Sequence, residues 1–183
     1  ATASEGVPVL ATTATANERV TNDVAGQLGA DTVVLRGTLA RASLRLAVID
    51  GMGPLHRYAW TDRALRSLVG SGIVYVATVA ETERLTAYLR HRGHDVLAYS
   101  GQLDPAERAR TEDALRANEV KAVVATSALG MGYDKPDLAF CVHLGSPDSP
   151  VAYYQQIGRA GRALDDAVVV LLPAETDERL WEY

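Results

Sequence analysis

The chain has 183 residues, a formal net charge of −5 and one cysteine, Cys141. That length suits one compact α/β domain with a short extra piece at an end, and a hydrophobic content of 48% suffices for a core built mainly of Ala, Val and Leu. One cysteine excludes an internal disulfide framework and a Cys-rich zinc site and fits a cytoplasmic protein, while the negative charge argues against gripping nucleic acid by bulk electrostatics yet leaves room for a local basic strip.

The opening stretch, ATASEGVPVLATTATA, lacks the basic start and long apolar run of a secretory signal. No apolar run approaches the length of a membrane-spanning helix, so no membrane association is expected. VPVLATT (7–13) reads as a buried strand. From Asn17 to Leu28 the apolar residues Val20, Val24 and Leu28 fall on one helical face, and Gly29 supplies a stop. TVVLRG (32–37) and SLRLAVID (43–50) read as strands, the second alternating Leu44, Leu46 and Val48 with period two. A helix is expected from Pro54 to about Val69, a strand at GIVYVAT (72–78), a helix from Glu81 to Arg92 and a strand at HDVLAYS (94–100). Asp104 and Pro105 then read as an N-cap followed by proline at the first helical position. Glu107 stands at capping-box spacing, and the helix runs to about Ala117. KAVVATS (121–127) and LAFCVHLG (138–145) are strands. Ser149 and Pro150 open a helix running into QQIGRAGR (155–162), and AVVVLLP (167–173) is the last strand.

Continuous apolar strands alternating with helices predict an α/β fold, a parallel sheet covered on both faces. Ligands of such sheets bind beyond the C-terminal strand ends. The unusual chemistry follows strands here, at Thr78, at Ser100-Gly101-Gln102, and in ATSALGMGYDKP (125–136).

In the last of these, Gly130 and Gly132 let a ligand approach the main chain. Thr126 and Ser127 offer hydroxyls, and Asp134 can accept hydrogen bonds from a sugar; an irregular connection capped by polar residues would look the same. Arg159 and Arg162, three residues apart, would share a face on a helix and repel unless an anion lies between them. Guanidinium forks suit phosphate oxygens. A solvated pair near Glu175 or Asp177 is the alternative, since all but two of the 18 basic residues are arginine.

No phosphate-binding G-x-x-x-x-G-K-[ST] loop, no dinucleotide fingerprint and no D-E-x-[DH] cluster for Mg²⁺ occurs. His56, His91, His94 and His143 have no metal-ligand spacing, so no metal site is expected. His143 and Cys141 both read as buried residues of one strand.

In order along the chain stand TTATA (12–16), GIVYVAT (72–78), YSGQLDPAER (99–108), VVATSALGMGYDKPDLAFCVHLGSP (123–147) and YYQQIGRAGR (153–162). These resemble motifs III, IV, IVa, V and VI of superfamily 2 helicases. The specific match is to the RecQ group, whose members characteristically read VAT-x-AFGMG-x-x-KP and YYQE-x-GRAGR. The resemblance implies two RecA-like domains with ATP and Mg²⁺ between them, bound mainly by the first domain. This chain is then similar to the end of the first domain with a connecting helix (1–30), followed by the second RecA-like domain (31–183). The missing phosphate loop is so explained.

Carried over residue by residue, the resemblance makes Arg162 the arginine finger that reaches the γ-phosphate across the cleft, with Arg159 its phosphate-contacting companion. Gln155 would couple the cleft to DNA. Gly132 and Asp134 would lie near the ribose. Thr78, Ser100, Gly101 and Thr126 would face the backbone of DNA, single-stranded or at a duplex junction, and Thr13 and Thr15 would link nucleotide state to DNA. Hydroxyls and main-chain N–H groups suffice for such contacts, which reconciles the acidic charge with DNA binding. The implied partners are DNA and the first RecA-like domain of the same protein.

The chain departs from the pattern at LARAS (39–43), where many members read F-D-R-P-N and only Arg41 matches, and at Leu129, where they carry phenylalanine. An ATP-dependent DNA helicase is the leading reading, with this portion alone not expected to hydrolyse ATP. A RecA-like module kept only to bind nucleic acid or a partner is the second, and an RNA helicase the third. A phosphate loop and acidic motif encoded upstream would separate the first from the second.

Overall fold

The structure, a computed structural model, describes residues 8–13, 18–29, 31–37, 40–130, 133–174 and 177. It divides into two units, Ala1–Arg41 and Ala42–Tyr183. The first holds helix α1 (Glu18–Leu28), with Glu18 in its first turn, where a carboxylate suits the positive helix end. Gly29 follows at φ 115°, and Thr32 Oγ1 donates to its carbonyl at 2.7 Å. Val20, Val24 and Leu28 are spaced as one stripe, yet no residue of α1 is buried. The strands expected at 7–13 and 32–37 do not form: described residues 8–13 and 32–37 have no regular secondary structure. An apolar run becomes a strand only when a neighbour takes its backbone N–H and C=O groups, and the six-stranded sheet includes neither stretch.

The second unit is built on that sheet. Its strands are β1 (Leu44–Val48), β2 (Gly72–Val76), β3 (Val96–Tyr99), β4 (Ala122–Ala125), β5 (Phe140–Leu144) and β6 (Ala167–Leu172), in the order β1-β6-β5-β2-β4-β3. Every pairing is parallel. The four helices between them are α2 (Pro54–Ser67), α3 (Val79–His91), α4 (Pro105–Arg116) and α5 (Pro150–Ile157). β2, β4 and β5 are buried along their whole length, as their unbroken apolar sequences require. Alternate residues serve opposite faces. Ile73, Tyr75, Val123 and Cys141 pack with Leu115 of α4 and Ile157 of α5. Val74, Val76, Val124 and Val142 pack with Leu65 of α2 and with Leu85 and Leu89 of α3. Each such leucine contributes roughly 1.5–3 kcal/mol by leaving water. The expected architecture, a parallel sheet with helices on both faces, is therefore observed.

β1 differs from its expectation. It is an edge strand, and Leu46 and Val48 both remain 60% exposed, so its alternation does not sort residues into a buried and a solvated face. At the start of β2, Gly72 lies in register with Phe140, and a Cβ there would come within 2.2 Å of the Phe140 ring. The helix starts follow the sequence signals. Thr78 Oγ1 accepts from Glu81 N at 3.1 Å, Asp104 Oδ1 from Glu107 N at 2.8 Å, and Ser149 Oγ from Ala152 N at 3.1 Å. Away from the strand ends, Asp62 of α2 is a buried carboxylate that accepts from Arg66, Arg92 and His94, tying α2 to the turn after α3.

Candidate functional site

Thr78, Ser100 and Thr126 each stand just past the C-terminal end of a strand, β2, β3 and β4 respectively, and those three strands are neighbours in the sheet. Thr126 N donates to Tyr99 O at 3.2 Å, which joins the ends of β3 and β4. Gly101 then faces Ala128, since a Cβ on it would stand 3.8 Å from that side chain. The hydroxyls already serve the backbone: Thr78 caps α3, Ser100 Oγ accepts from Gln102 N at 3.3 Å, and Thr126 Oγ1 accepts from Ala128 N at 3.3 Å. Ser100 is buried, whereas Thr78 and Gly101 are exposed. A hydroxyl accepting from the main chain keeps its own proton to donate.

A cavity of about 60 Å³ opens beside these loops, between Ala77 and Ser127 on one side and Ser146 and Asp148 on the other. Its inner wall includes His143 and Gln156. His143 Nε2 lies 2.9 Å from Gln156 Oε1, and the imidazole stacks on Tyr75 with ring centroids 4.9 Å apart. Burial pushes the His143 pKa down to about 4, so the ring is neutral near pH 7. His143 is thus a buried strand histidine, as expected, bonded through Nε2 alone, and Cys141 is a buried thiol that burial raises to about 12.

The helix opened by Ser149 and Pro150 runs into QQIGRAGR as expected and stops there, so both arginines stand on a turn and do not share a helical face. α5 ends at Ile157, and Gly158 is its C-cap. The chain then tightens, with Arg159 N donating to Gln156 O and Ala160 N to Ile157 O. Gly161 adopts φ 63° and is buried; a Cβ there would meet Ala167 Cβ at 2.8 Å. Its N–H donates to Leu138 O at 2.9 Å, its carbonyl accepts from Ser43 Oγ at 2.9 Å, and Ala163 N donates to Pro136 O at 2.8 Å. The turn is pinned to the segments that lead into β1 and β5, which explains why one of its glycines is there.

The two arginines therefore occupy different surroundings. Arg159 is half-buried, and its Nη1 donates to Tyr133 O at 2.9 Å. It also lies beside the buried Tyr75 hydroxyl, whose pKa is raised by burial and drawn back by this guanidinium. Arg162 is exposed. Its Nη1 pairs with Asp134 Oδ1 at 2.7 Å, and its Nε donates to Gly158 O at 3.2 Å. The structure so gathers Arg159, Arg162 and Asp134 into one cluster, where one segment, 126–134, carries Thr126 at its start and Asp134 at its end. Gln155 is exposed on α5. Thr13 lies in the irregular segment 8–13 of the other unit, and Thr15 and Gly132 lie outside the described residues.

Sequence reasoning missed three participants. The Tyr133 carbonyl holds Arg159, and no side-chain pattern reveals a backbone acceptor. Gln156 rather than Gln155 bonds His143, a distinction set by which residue faces the sheet. Lys135 is 1% exposed, with Nζ on Asp137 Oδ1 at 2.7 Å and on Arg116 O at 3.4 Å, so it anchors the loop that presents Asp134.

Against known proteins, residues 58–164 match the family described as helicase conserved C-terminal domain, and the chain belongs to that family. Its curated relatives are RecQ-like helicases, as the motifs imply. It is 34% identical over 174 residues to the ATP-dependent DNA helicase Q-like 4B of Arabidopsis thaliana, covering 93% of this chain and 15% of that protein. It is 34% identical over 173 residues to the ATP-dependent DNA helicase RecQ of Pasteurella multocida, covering 92% of this chain and 25% of that protein. The chain thus spans a quarter or less of the length of these relatives. Among solved structures, it superposes on the Saccharomyces cerevisiae protein Dbp5 bound to RNA and ADP BeF3 with a TM-score of 0.77 at 23% identity, over 92% of this chain and 46% of that one. It matches the Mycobacterium smegmatis helicase Lhr bound to ssDNA and AMP-PNP with a TM-score of 0.64 at 25% identity, over 74% of this chain and 20% of that one. The RecA-like fold is thereby established. Among the described residues, no helix is long and apolar enough to cross a membrane.

Proposed function

We propose that this chain is the second RecA-like half of an ATP-dependent DNA helicase of the RecQ-like group, supplying the arginine finger and part of a single-strand DNA path. One observation carries the reading: Arg162, an exposed guanidinium on a pinned turn, stands with Arg159 and Asp134 at the end of the loop that begins at Thr126. The donors fit the group. Two guanidinia suit phosphate oxygens, and the Asp134 carboxylate suits a ribose hydroxyl. Mg²⁺ would be held mainly by the first RecA-like domain.

Bound ATP supplies the phosphoryl group that is transferred to water. Arg162 offers N–H donors to charge developing on the terminal phosphate, and the turn presents it without reorganising. Arg159 sets the depth of the turn by holding Tyr133 O. Thr78, Ser100, Gly101 and Thr126 offer hydroxyl and backbone donors to the phosphates of one DNA strand, which positions a strand without reading its bases. Gln155 couples the cleft to that path, and Gly132 with Asp134 borders the ribose. Thr13 and Thr15 link nucleotide state to DNA. A cytoplasmic location accords with the one buried, unpaired cysteine.

The test is Arg162→Ala in the full-length protein. DNA-stimulated ATP turnover is expected to fall by about 10³-fold or more while DNA binding persists; unchanged turnover removes the finger assignment. The rival reading, a non-catalytic binding module, takes its support from the Arg162–Asp134 pair, which satisfies the charge of the turn within the chain. A phosphate loop and an acidic motif encoded upstream would exclude it.

A further inference from the structure

Arg162 already has an anion, and it comes from its own domain. The Asp134 carboxylate meets it at 2.7 Å, and both side chains stay open to solvent, at 46% exposure for Arg162 and 58% for Asp134. An exposed ion pair of this kind holds weakly, because solvent screens it and two long side chains must be ordered to make it. A polyphosphate brings several charges and oxygens spaced for a guanidinium fork, so it displaces a single carboxylate.

The backbones on both sides are fixed. Asp134 is flanked by Tyr133, whose carbonyl accepts from Arg159, and by the buried Lys135, whose Nζ is tied to Asp137 Oδ1. Arg162 follows Gly161, which is bonded to Leu138 O and to Ser43 Oγ. An exchange of partner therefore needs a change of side-chain rotamer and no loop movement. We propose that Asp134 is a positioning residue that parks Arg162 away from the phosphate position until the terminal phosphates of a nucleotide take its place. This rests on the reading of Arg162 as the phosphate-facing arginine, and it adds to Asp134 a role before nucleotide is engaged. The hold keeps a long cation from wandering into other geometries, and its weakness lets it be released.

The experiment titrates the chain with sodium tripolyphosphate at low ionic strength, reads affinity in every variant by isothermal titration calorimetry, and follows the Nε–Hε resonance by ¹⁵N NMR where Arg162 is present. Asp134→Asn should tighten tripolyphosphate binding about two- to five-fold, the size set by loss of an exposed ion pair. Asp134→Ser should act likewise, and Asp134→Glu should restore the original affinity. Repeating Asp134→Asn in an Arg162→Ala background separates parking from simple removal of a negative charge. Parking predicts that the gain vanishes there. An equal gain in both backgrounds, or no gain with Arg162 present, overturns the proposal. The finger assignment fails separately: full-length Arg162→Ala with normal turnover would end it even if the coupling to Asp134 were found, and loss of turnover without coupling would end parking alone.

Discussion

Asp134 and Arg162, 28 residues apart in sequence, meet at 2.7 Å at the surface, whereas Arg159, on the same turn, reaches inward to the carbonyl of Tyr133. The GRAGR sequence thus holds one arginine bonded inward to the main chain and one open to solvent. The difference arises because α5 ends at Ile157 and Gly161 turns the chain at φ 63°. On a continued helix the two would have shared a face.

That asymmetry predicts different costs. Arg159→Ala leaves the Tyr133 carbonyl without its donor and should destabilise the chain by about 1–3 kcal/mol. Arg162→Ala loses an exposed ion pair and one exposed hydrogen bond to Gly158 O, and should cost under about 1 kcal/mol. Urea denaturation of the two variants measures this; equal losses would contradict the division of roles.

Gly161→Ala should weaken the turn itself. The substitution forces a Cβ into a left-handed conformation and to within 2.8 Å of Ala167 Cβ. Overpacking and strain together should cost about 1–3 kcal/mol. In the full-length protein turnover should fall too, because the guanidinium of Arg162 is presented by that backbone. A variant with unaltered denaturation would show that the turn is not pinned as described.

Acid should destabilise the chain in two windows. His143 is held down to about 4 from an ordinary 6.5 by burial. The unfolded chain therefore binds its proton first, and stability present above about pH 6.5 is lost as pH falls towards 4. Asp62 is lowered from 3.8 to about 2, the bond from His94 being the largest cause, followed against it by burial and then with it by Arg92 and Arg66. Its contribution is complete above about pH 4 and disappears as pH falls towards 2. Denaturant midpoints from pH 8 to 2 should show the upper window flattened in His143→Gln and the lower one in Asp62→Asn. Unchanged profiles would refute both assignments.

Thr126→Val tests the strand path. It removes one neutral donor and should weaken single-stranded DNA binding by the full-length protein about two- to ten-fold, the worth of one hydrogen bond. The salt dependence of binding should not change, because no ionic contact is lost. A reduced salt slope would instead mean that the contact is ionic and lies elsewhere.

Much of the second unit was legible in the sequence. Each of its strands and helices falls where apolar period, caps and glycines predict, because local spacing and capping act over a few residues. The short motifs also named the arginines and the hydroxyls, since residue type carries that chemistry. The stretches at 7–13 and 32–37 misled because their apolar content was strand-like while a ladder needs a partner, and the sheet supplies none. β1 misled in a milder way, as edge position and not alternation decides its exposure.

What the order of residues determined was the class of fold, the family and the kinds of side chain at the strand ends. Only the tertiary structure decided which arginine turns inward, that Gln156 and not Gln155 bonds His143, and that Asp134 is the anion Arg162 meets. Those outcomes depend on where a turn is pinned by Leu138, Pro136 and Ser43, contacts from elements distant in sequence. A periodic pattern specifies an element's own inner face, but the partner across a gap is chosen by how the elements pack.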